Sequence, residues 1–205
     1  ESGWNVVSSN NGGSVTGTQA SKKVSPGDTV TFKAGKNIVL DQAGKQFTYS
    51  LNKDLVNMNS ASFNGTGNNT TVINGDSITQ TAGTQTNTST AAGNTVADGT
   101  KSTATTANGT KITDGTKTNT STADSTVIDD GNGNNTALTK DGVTITAAGK
   151  NPVSLTKDGL NNGNNQIKGV APGTDPTDAV NVSQLNASNA NTSQAINQIA
   201  GEVQH

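Results

Sequence analysis

From Val182 onward the apolar residues of this chain fall into a heptad seam. Val182, Leu185, Asn189, Thr192, Ile196, Ile199 and Val203 are separated by 3, 4, 3, 4, 3 and 4 residues, the spacing of a left-handed coiled coil. Such a helix hides its seam only against other chains, so the sequence predicts an oligomeric rod. Two seam positions, Asn189 and Thr192, are polar, and polar core residues of this kind fix register and oligomer state at a cost in stability. A second role for them is an anion held in the core by symmetry-related Asn189 or Thr192 side chains; register is favoured.

Composition leads to the same expectation. Leu, Ile, Val and Phe number 35 of 205 residues, fewer than a chain normally needs to build its own globular core. The net charge is only −2 and 14% of residues are charged, so the self-repulsion of a disordered tail is absent. A chain sparse in core residues but well patterned can fold by sharing one core among several copies.

Other function classes are limited by what the sequence lacks. There is no cysteine, which removes disulfides, thiolate metal sites and Cys nucleophiles, and the single histidine is His205. Ser-His-Asp chemistry and histidine metal clusters are therefore not expected, and neither a cofactor nor a metal is. No apolar run approaches a membrane span, and scattered lysines form no basic stripe for nucleic acid. The abrupt start at Glu1 gives the expectation of a piece of something longer.

Five stretches differ in texture. Residues 1–63 hold the aromatics, and Thr29-Val30-Thr31-Phe32-Lys33 and Gln46-Phe47-Thr48-Tyr49-Ser50-Leu51 alternate as half-buried strands do. Ile38-Val39-Leu40 lies between them, and Ser25-Pro26-Gly27-Asp28 and Gln42-Ala43-Gly44-Lys45 supply turns. Trp4 reads as a packing anchor rather than a binding aromatic.

Residues 64–135 are made mostly of Thr, Asn, Gly, Ser and Ala. Asn94-Thr95-Val96-Ala97-Asp98-Gly99-Thr100-Lys101 returns 16 residues later as Thr110-Lys111-Ile112-Thr113-Asp114-Gly115-Thr116-Lys117, and Val127-Ile128-Asp129-Asp130-Gly131 continues it. β-branched Thr between Asp-Gly turns predicts short strands stacked along an axis, with a disordered Thr-rich linker as the alternative. In residues 136–170, Leu138-Thr139-Lys140-Asp141-Gly142 recurs as Leu155-Thr156-Lys157-Asp158-Gly159, and Val143-Thr144-Ile145 and Val153-Ser154-Leu155 read as strands. Residues 171–187 and 188–205 complete the chain. The helix is predicted to begin near Pro176-Thr177-Asp178, with Pro176 or Thr177 at the cap and Asp178 at the positive end of the dipole.

Three blocks carry a family resemblance. Asp178-Ala179-Val180-Asn181-Val182-Ser183-Gln184-Leu185, approached through Gly169-Val170 and Asp175-Pro176-Thr177, is similar to the neck motif of trimeric autotransporter adhesins. Gly27 to Asn37 followed by Phe47 to Leu55, with Gly3-Trp4 upstream, resembles that family's tryptophan-ring head, and Thr71-Val72-Ile73-Asn74-Gly75 resembles the opening of its GIN-type head. Residues 76–135 match no named head. The resemblance implies a mainly β fold with trimeric β-prism or β-roll heads, ending in a neck and a short parallel trimeric coiled coil. It also implies a Gram-negative surface-displayed homotrimer anchored at the outer membrane by a separate barrel, not an enzyme, attaching to matrix proteins such as collagen, fibronectin or laminin, or to other surfaces. Which residues touch such a ligand is not legible.

Local motifs are weighed against plainer roles. Asp129-Asp130-Gly131-Asn132-Gly133-Asn134-Asn135 has the oxygen donors of a calcium loop but lacks its closing Glu, so it reads as a turn. Gly65-Thr66-Gly67-Asn68-Asn69-Thr70 shares only glycines with a phosphate loop, and Asn-x-Ser/Thr triplets such as Asn64-Gly65-Thr66 arise by chance in this composition. The runner-up function is ice binding by Thr-x-Thr phrases such as Thr86-Asn87-Thr88, Thr116-Lys117-Thr118 and Thr118-Asn119-Thr120 aligned on a β-solenoid. A glycanase ranks last: Glu occurs only at positions 1 and 202.

Overall fold

A computed structural model describes residues 2–204. The chain divides into two units, residues 1–59 and 60–205, and is mainly β with one C-terminal helix.

In the first unit, β1 (Trp4–Val6) pairs antiparallel with β2 (Lys22–Val24), and β3 (Ile38–Ala43) pairs with β4 (Gln46–Leu51). Gly44, at φ +62, closes the β3–β4 hairpin as the sequence predicts. Asn37 holds the segment beyond it. Its backbone is left-handed at φ +68, and its amide accepts from the Val56 N–H at 2.9 Å and donates to the Val56 carbonyl at 3.0 Å. The strand expected at Thr29–Lys33 is not formed. Alternation alone is not enough, because extended backbone becomes a strand only where another strand takes its N–H and C=O groups, and none in the described chain comes alongside residues 29–35. Phe32 instead packs against Phe47, with ring centroids 5.0 Å apart and the planes tilted by 40°.

In the second unit thirteen strands form one antiparallel meander in which every strand neighbours the next in sequence. They are β5 (Ser60–Asn64), β6 (Thr70–Asn74), β7 (Ser77–Ala82), β8 (Gln85–Thr90), β9 (Gly93–Asp98), β10 (Lys101–Thr106), β11 (Gly109–Asp114), β12 (Lys117–Thr122), β13 (Ser125–Asp129), β14 (Asn135–Thr139), β15 (Gly142–Thr146), β16 (Val153–Thr156) and β17 (Gly159–Asn161). The Thr-rich stretch is thus ordered β structure, and the sheet runs through residue 135 without interruption.

The 16-residue repeat is one hairpin plus its return. Along one edge, Gly83, Gly99 and Gly115 stand at φ +61, +60 and +62 as the first residue of two-residue turns, the position a type II′ hairpin requires to be glycine. The threonine that follows each glycine reaches to the next repeat. Thr84 donates to Asp98 at 2.8 Å, Thr100 to Asp114 at 2.9 Å, and Thr116 to the Asp130 carbonyl at 2.9 Å. Along the other edge the last strand residue is a threonine whose hydroxyl accepts the N–H two residues on: Thr90 from Ala92, Thr106 from Asn108, Thr122 from Asp124, Thr139 from Asp141 and Thr156 from Asp158, at 3.1–3.2 Å. Side-chain-to-backbone turns of this kind explain why Thr-x-Asp/Asn-Gly recurs in the sequence.

The helix α1 (Val182–Gln204) is 23 residues, about 35 Å long. Its start differs from the expected one near Pro176-Thr177-Asp178. Asp178 does not cap it: its carboxylate accepts from the N–H groups of Asp175 at 2.9 Å and Thr174 at 3.1 Å, closing the preceding loop. Asn181 is the cap. Its Oδ1 accepts the Gln184 N–H at 3.0 Å while Gln184 Oε1 accepts the Asn181 N–H at 3.2 Å, a reciprocal capping box.

No described residue is buried. The chain exposes 16425 Å². A compact monomer of 20.6 kDa exposes roughly 9,000 Å², and two compact units sharing that mass roughly 10,500 Å². The expected deficit of an intrachain core is therefore what the fold presents.

Candidate functional site

Because strand side chains alternate and paired residues share a face, the register of the thirteen strands assigns every side chain to one of two surfaces. One row across the sheet reads Phe63, Thr71, Gln80, Asn87, Val96, Thr103, Ile112, Asn119, Ile128, Thr136, Ile145, Val153. The adjacent row on the same surface carries Ile73, Ile78, Leu138, Val143, Leu155 and Leu160 toward its ends. Val96, Ile112, Ile128 and Ile145, spaced 16, 16 and 17 residues, stand on alternate strands roughly 10 Å apart. Ile112 is 49% exposed and Ile128 59%. The opposite surface presents threonine, serine and alanine, with Lys111, Val72 and Val127 among them.

Part of the apolar surface is a groove of about 890 Å³, lined among others by Phe63, Val96 and Ile112 and bordered by Asp98, Lys101 and Asp114. In the first unit Trp4, opposite Val24 in the β1–β2 ladder and 56% exposed, lines a hollow of about 830 Å³ with Pro26, Val30, Asp28 and Lys45.

The stalk seam residues all lie on α1. Val182 is 71% exposed and Val203 80%, and Leu185, Ile196 and Ile199 are likewise open. The Thr192 hydroxyl donates to the Ser188 carbonyl one turn back at 2.9 Å. Below the helix, two amide side chains that composition did not single out tie the loop of residues 170–181 to the first turn. Gln184 Nε2 donates to the Gly173 carbonyl at 2.8 Å and its Oε1 accepts the Gly173 N–H at 2.9 Å, and Asn181 Nδ2 donates to the Val170 carbonyl at 3.1 Å. The Asn-x-x-Gln spacing at 181 and 184 is the signal that marks them.

The motifs considered for chemistry resolve as turns. In the Asp129–Asn135 hairpin the carboxylates serve their own backbone: Asp129 accepts the Gly131 N–H at 2.7 Å, and Asp130 accepts the Asn132 N–H at 2.8 Å and the Asn134 side-chain amide at 2.7 Å. The Asn134 amide, and then the Asn132 N–H, hold the Asp130 carboxyl below the usual carboxylate range. Asp178 is held low in the same way, by the N–H of Asp175 and then that of Thr174. Among the described residues no group of His, Asp and Glu converges as metal ligands would, and His205 lies outside them. The loop at residues 65–69 leads into a strand, with the Gly65 N–H donating to the Asn69 carbonyl at 2.8 Å, so it has no helix N-terminus to offer a phosphate. Thr86, Thr88, Thr118 and Thr120 do share the hydroxyl surface, whereas Thr116 sits in a turn and donates to the Asp130 carbonyl.

Residues 166–204 match the family model described as the coiled stalk of trimeric autotransporter adhesin. The match spans the Gly173–Gln184 clamp and the whole of the described helix, and it supports an adhesin fragment of that family, one of trimers. It lends the ice-binding alternative no support. No curated protein and no solved structure matches the chain.

Proposed function

We propose that this chain, which carries the stalk segment of a trimeric autotransporter adhesin at residues 166–204, is the head and neck of a non-enzymatic surface adhesin. Three copies associate in parallel. Residues 1–63 form a tryptophan-ring-like head with Trp4 as a packing anchor, 64–135 a Thr/Asn/Gly-rich β-repeat region with a GIN-like start, 136–170 β-prism units, 171–187 the neck, and 188–205 the start of the stalk. The rod is displayed outside a Gram-negative outer membrane, anchored through a barrel beyond these residues.

The observation that carries this reading is the exposure of Val182, Leu185, Ile196, Ile199 and Val203 along one helix seam, beside a sheet with no buried residue. Each copy can hide these groups only against another. Attachment to collagen, fibronectin, laminin or another surface then draws on three identical faces per rod and many rods per cell, so that weak contacts add to firm adhesion. A solid-phase assay of the trimer against these three matrix proteins tests it. Retention that collapses by on the order of a hundredfold or more on dissociation into single chains supports multivalent adhesion, and equal retention of single chains contradicts it.

A further inference from the structure

We propose that Met58 is an oxidation-sensitive latch: a peroxide or hypohalous acid converts its thioether to the sulfoxide, and that change releases the segment of residues 52–58 from Asn37.

The chain has one methionine and no cysteine, so Met58 carries its only sulfur. Met58 is 61% exposed, which leaves the thioether open to small oxidants in water. Exposure alone would make it an ordinary surface methionine. What sets it apart is the contact of its sulfur: Asn37 Nδ2 donates to Met58 Sδ at 3.3 Å. The same nitrogen donates to the Val56 carbonyl at 3.0 Å, while Asn37 Oδ1 accepts the Val56 N–H at 2.9 Å. A primary amide has two donor hydrogens, so both are used, one on Val56 and one on the sulfur.

Asn37 also accepts the Asn52 N–H at its backbone carbonyl, at 2.7 Å, so a single residue holds the segment at positions 52, 56 and 58. Little else does. Leu55 is 50% exposed and Val56 54%, which leaves few apolar contacts to keep the segment in place once the amide lets go. Asn37 at φ +68 and Asn57 at φ +59 are both left-handed, a backbone state that persists only where the contacts around it enforce it.

In the reaction the sulfur gives an electron pair to one oxygen of the peroxide. An S–O bond forms, the O–O bond breaks, and the second oxygen leaves with a proton as water; with hypochlorous acid the O–Cl bond breaks and chloride and a proton leave. Sulfur is oxidised by two electrons and the oxidant reduced by two. Divalent sulfur has two inequivalent lone pairs, and Asn37 engages one of them. Oxygen therefore adds to the pair that faces water, giving one sulfoxide epimer in excess. The sulfur then bears partial positive charge toward the Asn37 amide hydrogen, and the contact that accepted that hydrogen becomes repulsive.

Hydrogen peroxide applied to the whole chain in its native assembly tests this, with peptide mass spectrometry, hydrogen exchange at Val56, and treatment of the released peptide with each of the two epimer-specific methionine sulfoxide reductases. The expected result is one oxygen gained at Met58, with at least roughly fourfold more of it removed by one reductase than by the other. The Val56 amide should exchange at least about fivefold faster after oxidation, and Met58→Leu should show no such change under peroxide. A native protein that resists peroxide under conditions that oxidise the denatured chain overturns the site. Equal removal by the two reductases, or Val56 exchange that is unchanged or rises equally in Met58→Leu, overturns the latch. Asn37→Asp keeps an acceptor for the Val56 N–H but offers the sulfur no donor, so its sulfoxide should form without epimer preference, and a retained preference overturns the role of Asn37. Should Asn37→Asp fail to fold, the reductase pair decides the same point on the parent protein.

Discussion

Gln184 holds Gly173 by both ends of its amide: Oε1 accepts the Gly173 N–H at 2.9 Å and Nε2 donates to the Gly173 carbonyl at 2.8 Å. The same Oε1 accepts the Asn181 N–H, so one side chain both caps the helix and closes the loop before it. Gly173 leaves room for this, since a Cβ there would stand 2.6 Å from the Ala179 carbonyl oxygen.

Gln184→Ala is expected to lower the stability of the neck by about 1–3 kcal/mol, because it removes a cap and leaves the Gly173 groups unpaired. Gln184→Glu keeps the cap but offers no donor to the Gly173 carbonyl, so it should fall between the two. Thermal melts of the three proteins check this; a Glu variant as stable as the parent shows the clamp on Gly173 to be dispensable.

Acid should open two loops. Asp130 is held low by the Asn134 amide and then the Asn132 N–H, and Asp178 by the N–H groups of Asp175 and then Thr174. A carboxyl whose folded pKa lies below its unfolded value, about 3.9, contributes stability that is complete above that value and lost as pH falls through the folded pKa. NMR titration should place both carboxyls below the ordinary range, with the Asp175 and Thr174 amide signals shifting as Asp178 protonates. Asp178→Asn should abolish that shift, and titration at or above pH 3.9 contradicts the assignment.

Two glycines in the sheet should differ sharply. Gly83 stands at φ +61 with open space around it, and Gly83→Ala is expected to cost about 1–2 kcal/mol of backbone strain. Gly109 stands at φ +147, where a Cβ would run into the Ser121 carbonyl oxygen, so Gly109→Ala should cost clearly more and spread to the β11–β12 pairing. Equal melting temperatures for the two variants would show that the close approach is not required.

The seam of α1 predicts opposite signs at two positions. Ile196→Ser removes a seam contact worth about 1.5–3 kcal/mol per chain and should raise the concentration at which the assembly dissociates. Asn189→Ile should raise the melting temperature while admitting oligomers of more than one size, as loss of a polar core residue does. Sedimentation velocity distinguishes the two; a single unchanged species with Asn189→Ile removes the register role.

Much of this was legible because it is local. The strands at 93–98, 101–106, 109–114 and 117–122 follow from β-branched runs between Asp-Gly and Asn-Gly turns, and the helix from the 3–4 spacing of its apolar residues. Val30 and Phe32 misled because alternation records only which way side chains point, not whether another strand comes alongside. Asp178 misled because the same carboxylate that could cap a helix can close a loop, and here it accepts the Thr174 and Asp175 N–H groups. The row that brings Val96, Ile112, Ile128 and Ile145 to one surface was hidden because it exists only once strands are in register.

The central claim is that single copies cannot cover their apolar groups, and sedimentation equilibrium at micromolar concentration tests it most directly. The account predicts a mass of three times 20.6 kDa, dissociating and unfolding together. A species of 20.6 kDa that melts cooperatively on its own would contradict it.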